Sequence, residues 1–145
     1  MPAADCFLDT NILLYSVSTA AAESPKTSIA RELLRTPNWA WSAQVAAEFI
    51  SVSTSPKRSL RLSLGEAEKW IDTWLAFPLA PIDEKTVKLA LTIAGQSGIS
   101  YFDAQILAAA KQLGCQTVYT EDLNRGQDYG GVRVVNPFGA ARVNG

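Results

Sequence analysis

A chain of 145 residues with 48% hydrophobic and 19% charged side chains is sized and composed to bury one soluble core, without fibrous or disordered bias. Thirteen basic and 14 acidic residues leave a formal charge of −1, which neither favours nor excludes nucleic acid, because a nuclease can gather acids round a metal and keep a local basic rim. Histidine is absent, which excludes Ser-His-Asp and Cys-His catalysis and imidazole-ligated zinc, so acid–base or metal chemistry falls to carboxylates, lysine, tyrosine or water.

No apolar run reaches transmembrane length, and no basic segment precedes a hydrophobic core at the start, so a cytoplasmic protein without membrane contact is expected. Cys6 and Cys115 form neither a zinc motif nor a disulfide framework and read as small buried hydrophobes.

In chain order, Cys6–Leu8 reads as a first strand ending in Asp9, followed by a short helix from Asn11. Ser24-Pro25 opens a second helix whose Ile29, Ala30, Leu33 and Leu34 share one face. Trp39–Trp41 is a strand, and Ser42 caps a helix carrying Val45, Phe49 and Ile50. Ser55–Ser59 breaks the pattern and concentrates positive charge. Ser63 and Glu66 have capping-box spacing ahead of a stripe of Ala67, Trp70, Ile71, Trp74 and Leu75, with the tryptophans read as core or partner-facing anchors rather than a base-stacking platform.

Leu79–Ile82 is a proline-limited strand near a sheet edge. Asp83 caps a helix with Val87, Ala90, Leu91 and Ala94 at helical spacing, and Gly95 and Gly98 mark its end. Ser100 starts a helix through Phe102, Ile106, Ala110 and Leu113, closed by Gly114. Thr117–Tyr119 is a strand followed by a Gly-containing loop, and Val132–Val135 is the last strand, ended by Asn136-Pro137. Alternation of strand-like and helical periods across a single domain, 1–145, predicts an α/β fold with a mainly parallel sheet.

Four acids occupy equivalent places in that pattern. Asp9 follows the first strand, Glu48 sits about two turns into the helix after Trp39–Trp41, Asp103 lies in the first turn of the helix opened by Ser100, and Asp122 follows Thr117–Tyr119. In a parallel sheet, strand ends and the starts of the following helices share one edge, so all four can meet in one pocket. Convergent carboxylates repel unless protonated or holding a cation, and hard divalent ions with oxygen ligands answer that need. Each acid also has a plainer role open to it. Asp103 completes an S-x-x-D capping pattern with Ser100, Asp122 can start a turn, and Glu48 can be a solvated helix residue, although Ala47 and Phe49 suggest enclosure. Asp9 is hardest to explain away, since an acid ending an apolar strand invites burial without a partner. Asp83 reads as an N-cap, and Glu121 competes with Asp122.

Leu8-Asp9-Thr10-Asn11-Ile12-Leu13, Gln44-Val45-Ala46-Ala47-Glu48-Phe49, Tyr101-Phe102-Asp103-Ala104-Gln105-Ile106 and Tyr119-Thr120-Glu121-Asp122-Leu123 stand in the order and spacing of a PIN-domain ribonuclease. The chain resembles a VapC-type toxin of a toxin–antitoxin pair over essentially its whole length, and Gly131–Phe138 is similar to the closing strand of such proteins. The resemblance implies a three-layer α/β/α sandwich and a Mg²⁺- or Mn²⁺-dependent endoribonuclease, usually dimeric and inhibited by a small cognate antitoxin. By position, Asp9, Glu48, Asp103 and Asp122 would be the acidic metal-binding set, with Thr10, Asn11 and Thr120 as polar supports. Glu121, between the usual threonine and aspartate, departs from the pattern and leaves the fourth acid open. Lys57, Arg58 and Arg61 suit contact with RNA phosphate or antitoxin.

Two other classes remain. An aspartyl-phosphate phosphatase would use Asp9 as nucleophile, but it would want a second acid where Asn11 stands. A non-catalytic α/β binding module is open to the same scaffold, but has no need of four acids.

Overall fold

The computed structural model describes residues 4–123 and 128–139. Its centre is a parallel sheet of β1 (Cys6–Leu8), β2 (Trp39–Ser42), β3 (Leu79–Ala80), β4 (Thr117–Tyr119) and β5 (Arg133–Val135), in the order β3-β2-β1-β4-β5. Among the described residues the α-helices are α1 (Thr10–Val17), α2 (Ser24–Arg35), α3 (Ala43–Ser53), α4 (Leu64–Trp74), α5 (Glu84–Ser97) and α6 (Tyr101–Gln112), with a 3₁₀ turn at Ala21–Glu23 before α2.

The connections β1-α1-α2-β2 and β2-α3-α4-β3 step outward one way, and α5–α6 then carry the chain back to β4 on the other side of β1. Helix α1 packs on α2 and α3, while α6 packs on α5 and touches β2, β3 and β4, giving three layers. The strand order therefore reverses at β1, and its carboxyl end lies at the switch point where open α/β sheets form their ligand crevice. The expected α/β/α sandwich is what the chain adopts.

Strands covered on both faces need apolar side chains throughout, and Phe7, Leu8, Trp39, Ala40, Trp41, Val118 and Val134 are all fully buried. Trp39 stacks on Phe77 with centroids 4.2 Å apart, and Trp41 and Phe49 meet Trp74 edge-on. Both strand indoles keep a partner: Trp39 Nε1 donates to the Leu34 carbonyl at 3.1 Å and Trp41 Nε1 to the Phe77 carbonyl at 3.3 Å. Cys6 and Cys115 are free thiols, pushed up to about 11 and about 12, mainly by burial, which suits packing and not reactivity.

The caps set the helix starts. Ser42 accepts from the Val45 N–H, Asp83 from the Thr86 N–H and Ser100 from the Asp103 N–H, while Ser63 and Glu66 form the full reciprocal box. Helix α1 begins one residue earlier than expected, at Thr10, because Asp9 is its N-cap.

Some apolar faces fall elsewhere than the spacing suggested. Ile29, Trp70 and Leu75 are exposed, leaving Thr27 and Ala30 buried in α2 and Ala67 and Trp74 in α4. In α5, Val87 and Leu91 are exposed, and the buried face is Thr86, Ala90 and Ile93. The two candidate stripes share Ala90, and the inner one is turned toward α6, on which α5 packs and where Thr86 Oγ1 donates to Gln112 Oε1 at 2.7 Å. Gly95 lies inside α5; only Gly98, with φ +70°, ends it. Phe102 is 66% exposed, unlike the rest of the expected α6 face. The Gly-containing loop after β4 lies in part (124–127) outside the described residues. Among the described residues no helix is long and apolar enough to cross a membrane.

Candidate functional site

Asp9 ends β1 in extended geometry and opens α1. Its Oδ1 accepts from the Thr10 N–H at 2.7 Å, and its Oδ2 accepts from Thr120 Oγ1 at 2.8 Å. The Asp9 N–H donates to the Tyr119 carbonyl at 3.1 Å, so the pairing of β1 with β4 continues past the strand ends and sets Asp9 beside Thr120. Only 8% of Asp9 is exposed. Burial pushes its carboxyl up to about 6; the hydrogen bonds from Thr10 and Thr120 pull the other way, and the charges of Glu48 and Asp122 push it up further.

Thr120 is fully buried at the centre of this arrangement. Its Oγ1 accepts from Asn11 Nδ2 at 3.1 Å and from the Asp122 N–H at 3.1 Å while donating to Asp9. Asn11 Nδ2 also donates to Asp122 Oδ2 at 3.0 Å, and Asn11 Oδ1 accepts from the Glu121 N–H. Thr10 Oγ1 is buried with no partner among the described residues.

Glu121 turns the other way, as adjacent residues leaving a strand do. Its Oε1 accepts from the Tyr15 hydroxyl at 2.7 Å and its Oε2 from Lys26 Nζ at 3.0 Å. Lys26 Nζ also lies 4.9 Å from the centroid of Tyr15 and 5.6 Å from that of Phe138. Glu121 is thus neutralised in a cluster of its own, while Asp122 stays beside Asp9.

Glu48 is exposed, and so is Ala47; Phe49 alone of that run faces the core, so the enclosed setting expected for Glu48 is absent. Its charge nonetheless reaches Asp9. Asp103 is half-buried in the first turn of α6. Its N–H donates to Ser100 Oγ at 3.2 Å, but its carboxylate does not return to Ser100 as a capping box would. The start of α6 is tied to the same sheet edge, because Gln44 Nε2 at the start of α3 donates to the Phe102 carbonyl at 3.2 Å. Asp103 also acts on Tyr129, whose phenol is pushed up by burial and then by that carboxylate. Asp83 caps α5 with Thr86 and takes no part.

Lys57 and Arg61 are exposed and Arg58 is half-buried, all in the loop after the carboxyl end of α3. The loop follows the carboxyl end of α3, whereas Glu48 lies in the middle of that 11-residue helix. Arg58 lines a separate cavity of about 280 Å³ with Val17, Glu23 and Leu62.

Among the described residues no three acids close on one point as a ready-made cage. The donors nevertheless fit a hard divalent ion: a buried carboxylate opposed by two others, and an orphaned hydroxyl on Thr10, all oxygen. Mg²⁺ in particular keeps several waters and takes only one or two carboxylates.

Sequence reasoning missed three features. Lys26 and Tyr15 lie on successive helices with no motif to link them. Tyr129 carries a buried hydroxyl, without a partner among the described residues, near Asp103. Gln105 is buried among Ala104, Ile106 and Leu107, and an amide on so apolar a helix face was the one available signal.

The model of the PIN domain family matches residues 6–125. A toxin–antitoxin complex from Klebsiella pneumoniae has a similar fold, with a TM-score of 0.67 at 19% identity over 92% of this chain and 98% of that one. The sarcin–ricin-loop-cleaving toxin VapC20 of Mycobacterium tuberculosis gives 0.65 at 17% identity, over 81% and 92%. The DNA-bound VapBC of Salmonella typhimurium gives 0.64 at 17% identity, over 92% and 98%. No curated protein sequence matches the chain.

Proposed function

The chain belongs to the PIN-domain family, and on that premise we propose that it is a Mg²⁺- or Mn²⁺-dependent endoribonuclease, acting as the toxin of a toxin–antitoxin pair. The observation that carries the reading is Asp9: a buried carboxylate with Glu48 and Asp122 charged nearby, held in place by Thr120. Left alone such a group costs stability, and a cation is the usual compensation.

Asp9, Glu48, Asp103 and Asp122 would hold the ion, with Asp9 as the anchor. A divalent ion there supplies charge neutralisation at the phosphoryl group and a more acidic water. Thr120 and Asn11 fix the Asp9 and Asp122 carboxylates relative to one another, and Thr10 offers its hydroxyl to whatever fills the site. Asp122, not Glu121, is the fourth acid on this reading, because Glu121 is committed to Lys26 and Tyr15.

The partners proposed are an RNA substrate, a second copy of the chain and a small antitoxin protein; toxin–antitoxin complexes among the similar folds support the last. Lys57, Arg58 and Arg61, in the loop after α3, suit contact with RNA phosphates or with an acidic antitoxin segment. The phosphatase alternative weakens, because the Asn11 amide is spent on Thr120 and Asp122 where that chemistry wants an acid. A binding module would gain nothing from the buried charge. The test is incubation of the purified protein with total RNA: cleavage in Mg²⁺ or Mn²⁺ that stops in excess EDTA and returns on adding metal supports the reading, and cleavage persisting in EDTA counts against it.

A further inference from the structure

Between α3 and the start of α6 lies an open groove of about 590 Å³, lined by Gln44, Ala47, Glu48, Ile82, Phe102 and Gln105 among others. Its size is that of a small-molecule site. Phe102, at 66% exposure, is the most exposed aromatic ring among the described residues, although it opens a helix whose later residues are buried. Such a ring beside Asp103 presents most of its surface to solvent.

The groove is also rigidly built. The Tyr101 hydroxyl donates to Gln105 Oε1 at 2.7 Å, Gln105 Nε2 donates to Gln44 Oε1 at 2.7 Å, and Gln44 Nε2 donates to the Phe102 carbonyl at 3.2 Å. This chain of bonds orients both amides. It leaves Gln44 with one N–H and one oxygen lone pair to offer, a donor beside an acceptor. The Tyr101 ring meets Phe102 edge-on, with centroids 5.6 Å apart.

We infer that this groove is a nucleobase subsite, in which an unpaired base next to the scissile phosphate stacks on Phe102 and presents its edge to the Gln44 amide. The inference rests on the nuclease reading of the acids. Continuity carries the choice of occupant: Glu48 belongs both to the groove and to the acid site, so the nucleoside joined to a phosphate at the acids lies within one nucleotide's reach of Phe102. Charge disfavours the phosphate itself, since among the described residues no cation lines the groove and Glu48 does. A base is neutral, with apolar faces for Ala47, Ile82 and Phe102 and a hydrogen-bonding edge for an amide. A base read this way must be unstacked, so the preferred substrate is a single-stranded loop or end rather than a duplex.

The test is binding of a short oligoadenylate, and of an abasic ribose-phosphate strand of equal length, to the full chain carrying Asp9→Asn, alone and combined with Phe102→Ala or Phe102→Tyr. Phe102→Ala is expected to weaken oligoadenylate binding about tenfold or more, with Phe102→Tyr within about threefold of the parent and the abasic strand bound equally by all three. Equal loss on both strands overturns the inference, because the ring then supports the backbone site rather than a base. No loss on either strand also overturns it and gives the groove to a protein partner. Cleavage of RNA by the unmutated protein is followed in parallel; if it is absent while the contrast between strands persists, the nuclease reading falls and the base subsite stands.

Discussion

Asn11 donates from Nδ2 to Asp122 Oδ2 at 3.0 Å across 111 residues of sequence. The same nitrogen reaches Thr120 Oγ1 at 3.1 Å, and Thr120 in turn bonds Asp9, so one amide couples the carboxylates at the ends of two adjacent strands. This bridge explains why a neutral residue stands two places after Asp9: an aspartate there would face Asp122 at hydrogen-bond distance with no proton to share.

Asn11→Asp and Asn11→Ala are therefore both expected to lower RNA cleavage about 10- to 100-fold, the range for losing a group that orients metal ligands. Steady-state kinetics should place the loss in kcat rather than KM, because the positions of the acids change and the RNA contacts do not. Unaltered kcat in either folded variant contradicts the bridging role.

Glu121 and Asp122 separate cleanly by experiment. Asp122→Asn is expected to cut cleavage about a hundredfold or more with little loss of stability. Glu121→Gln breaks a partly exposed ion pair with Lys26 (39% and 22% exposed), so it should cost only about 0.5 kcal/mol and leave cleavage within a few-fold. Thermal melts and a cleavage assay on the two variants decide it, and the reverse pattern would make Glu121 the fourth acid.

The metal-free protein should carry the signature of Asp9 in its pH dependence. The carboxyl stands at about 6 in the folded chain, chiefly through burial, against about 4 unfolded. A raised folded value means that the native state binds the proton more tightly, so this contribution is fully present below about pH 4 and is lost as pH rises through 6, to the extent of about 3 kcal/mol. Melts from pH 4 to 7 in EDTA should show the wild type falling relative to Asp9→Asn. Parallel curves contradict a buried, charge-opposed Asp9.

Much of this was legible in the sequence because caps and strand-end acids are local. Ser42, Ser63, Asp83 and Ser100 cap helices by bonding to backbone three residues on, and Asp9 declared itself by ending an apolar strand. What spacing could not show is direction. It could not choose between the overlapping stripes of α5, which share Ala90, because that choice depends on how α5 packs against another helix, α6. Nor could it tell which way Glu121 and Asp122 diverge, since Tyr15, Lys26 and Asn11 meet them from far along the chain. Phe102 reads as core because its helical spacing matches Ile106 and Ala110, yet it is exposed and lines a groove with Glu48.

Gly98 gives a stability control away from the chemistry. It ends α5 at φ +70° in open space, so Gly98→Ala meets no clash and pays only for left-handed backbone, about 1 kcal/mol. In a chain of this size that lowers Tm by about 3 °C. Cleavage should be unchanged.

The central claim is that Asp9 and Asp103 act on RNA through a shared divalent ion, and cleavage by folded single variants tests it most directly. Asp9→Asn and Asp103→Asn, each confirmed by circular dichroism and a cooperative melt, are expected to abolish Mg²⁺- or Mn²⁺-dependent cleavage of an RNA that the wild type cuts. Undiminished cleavage by both folded variants would contradict the account.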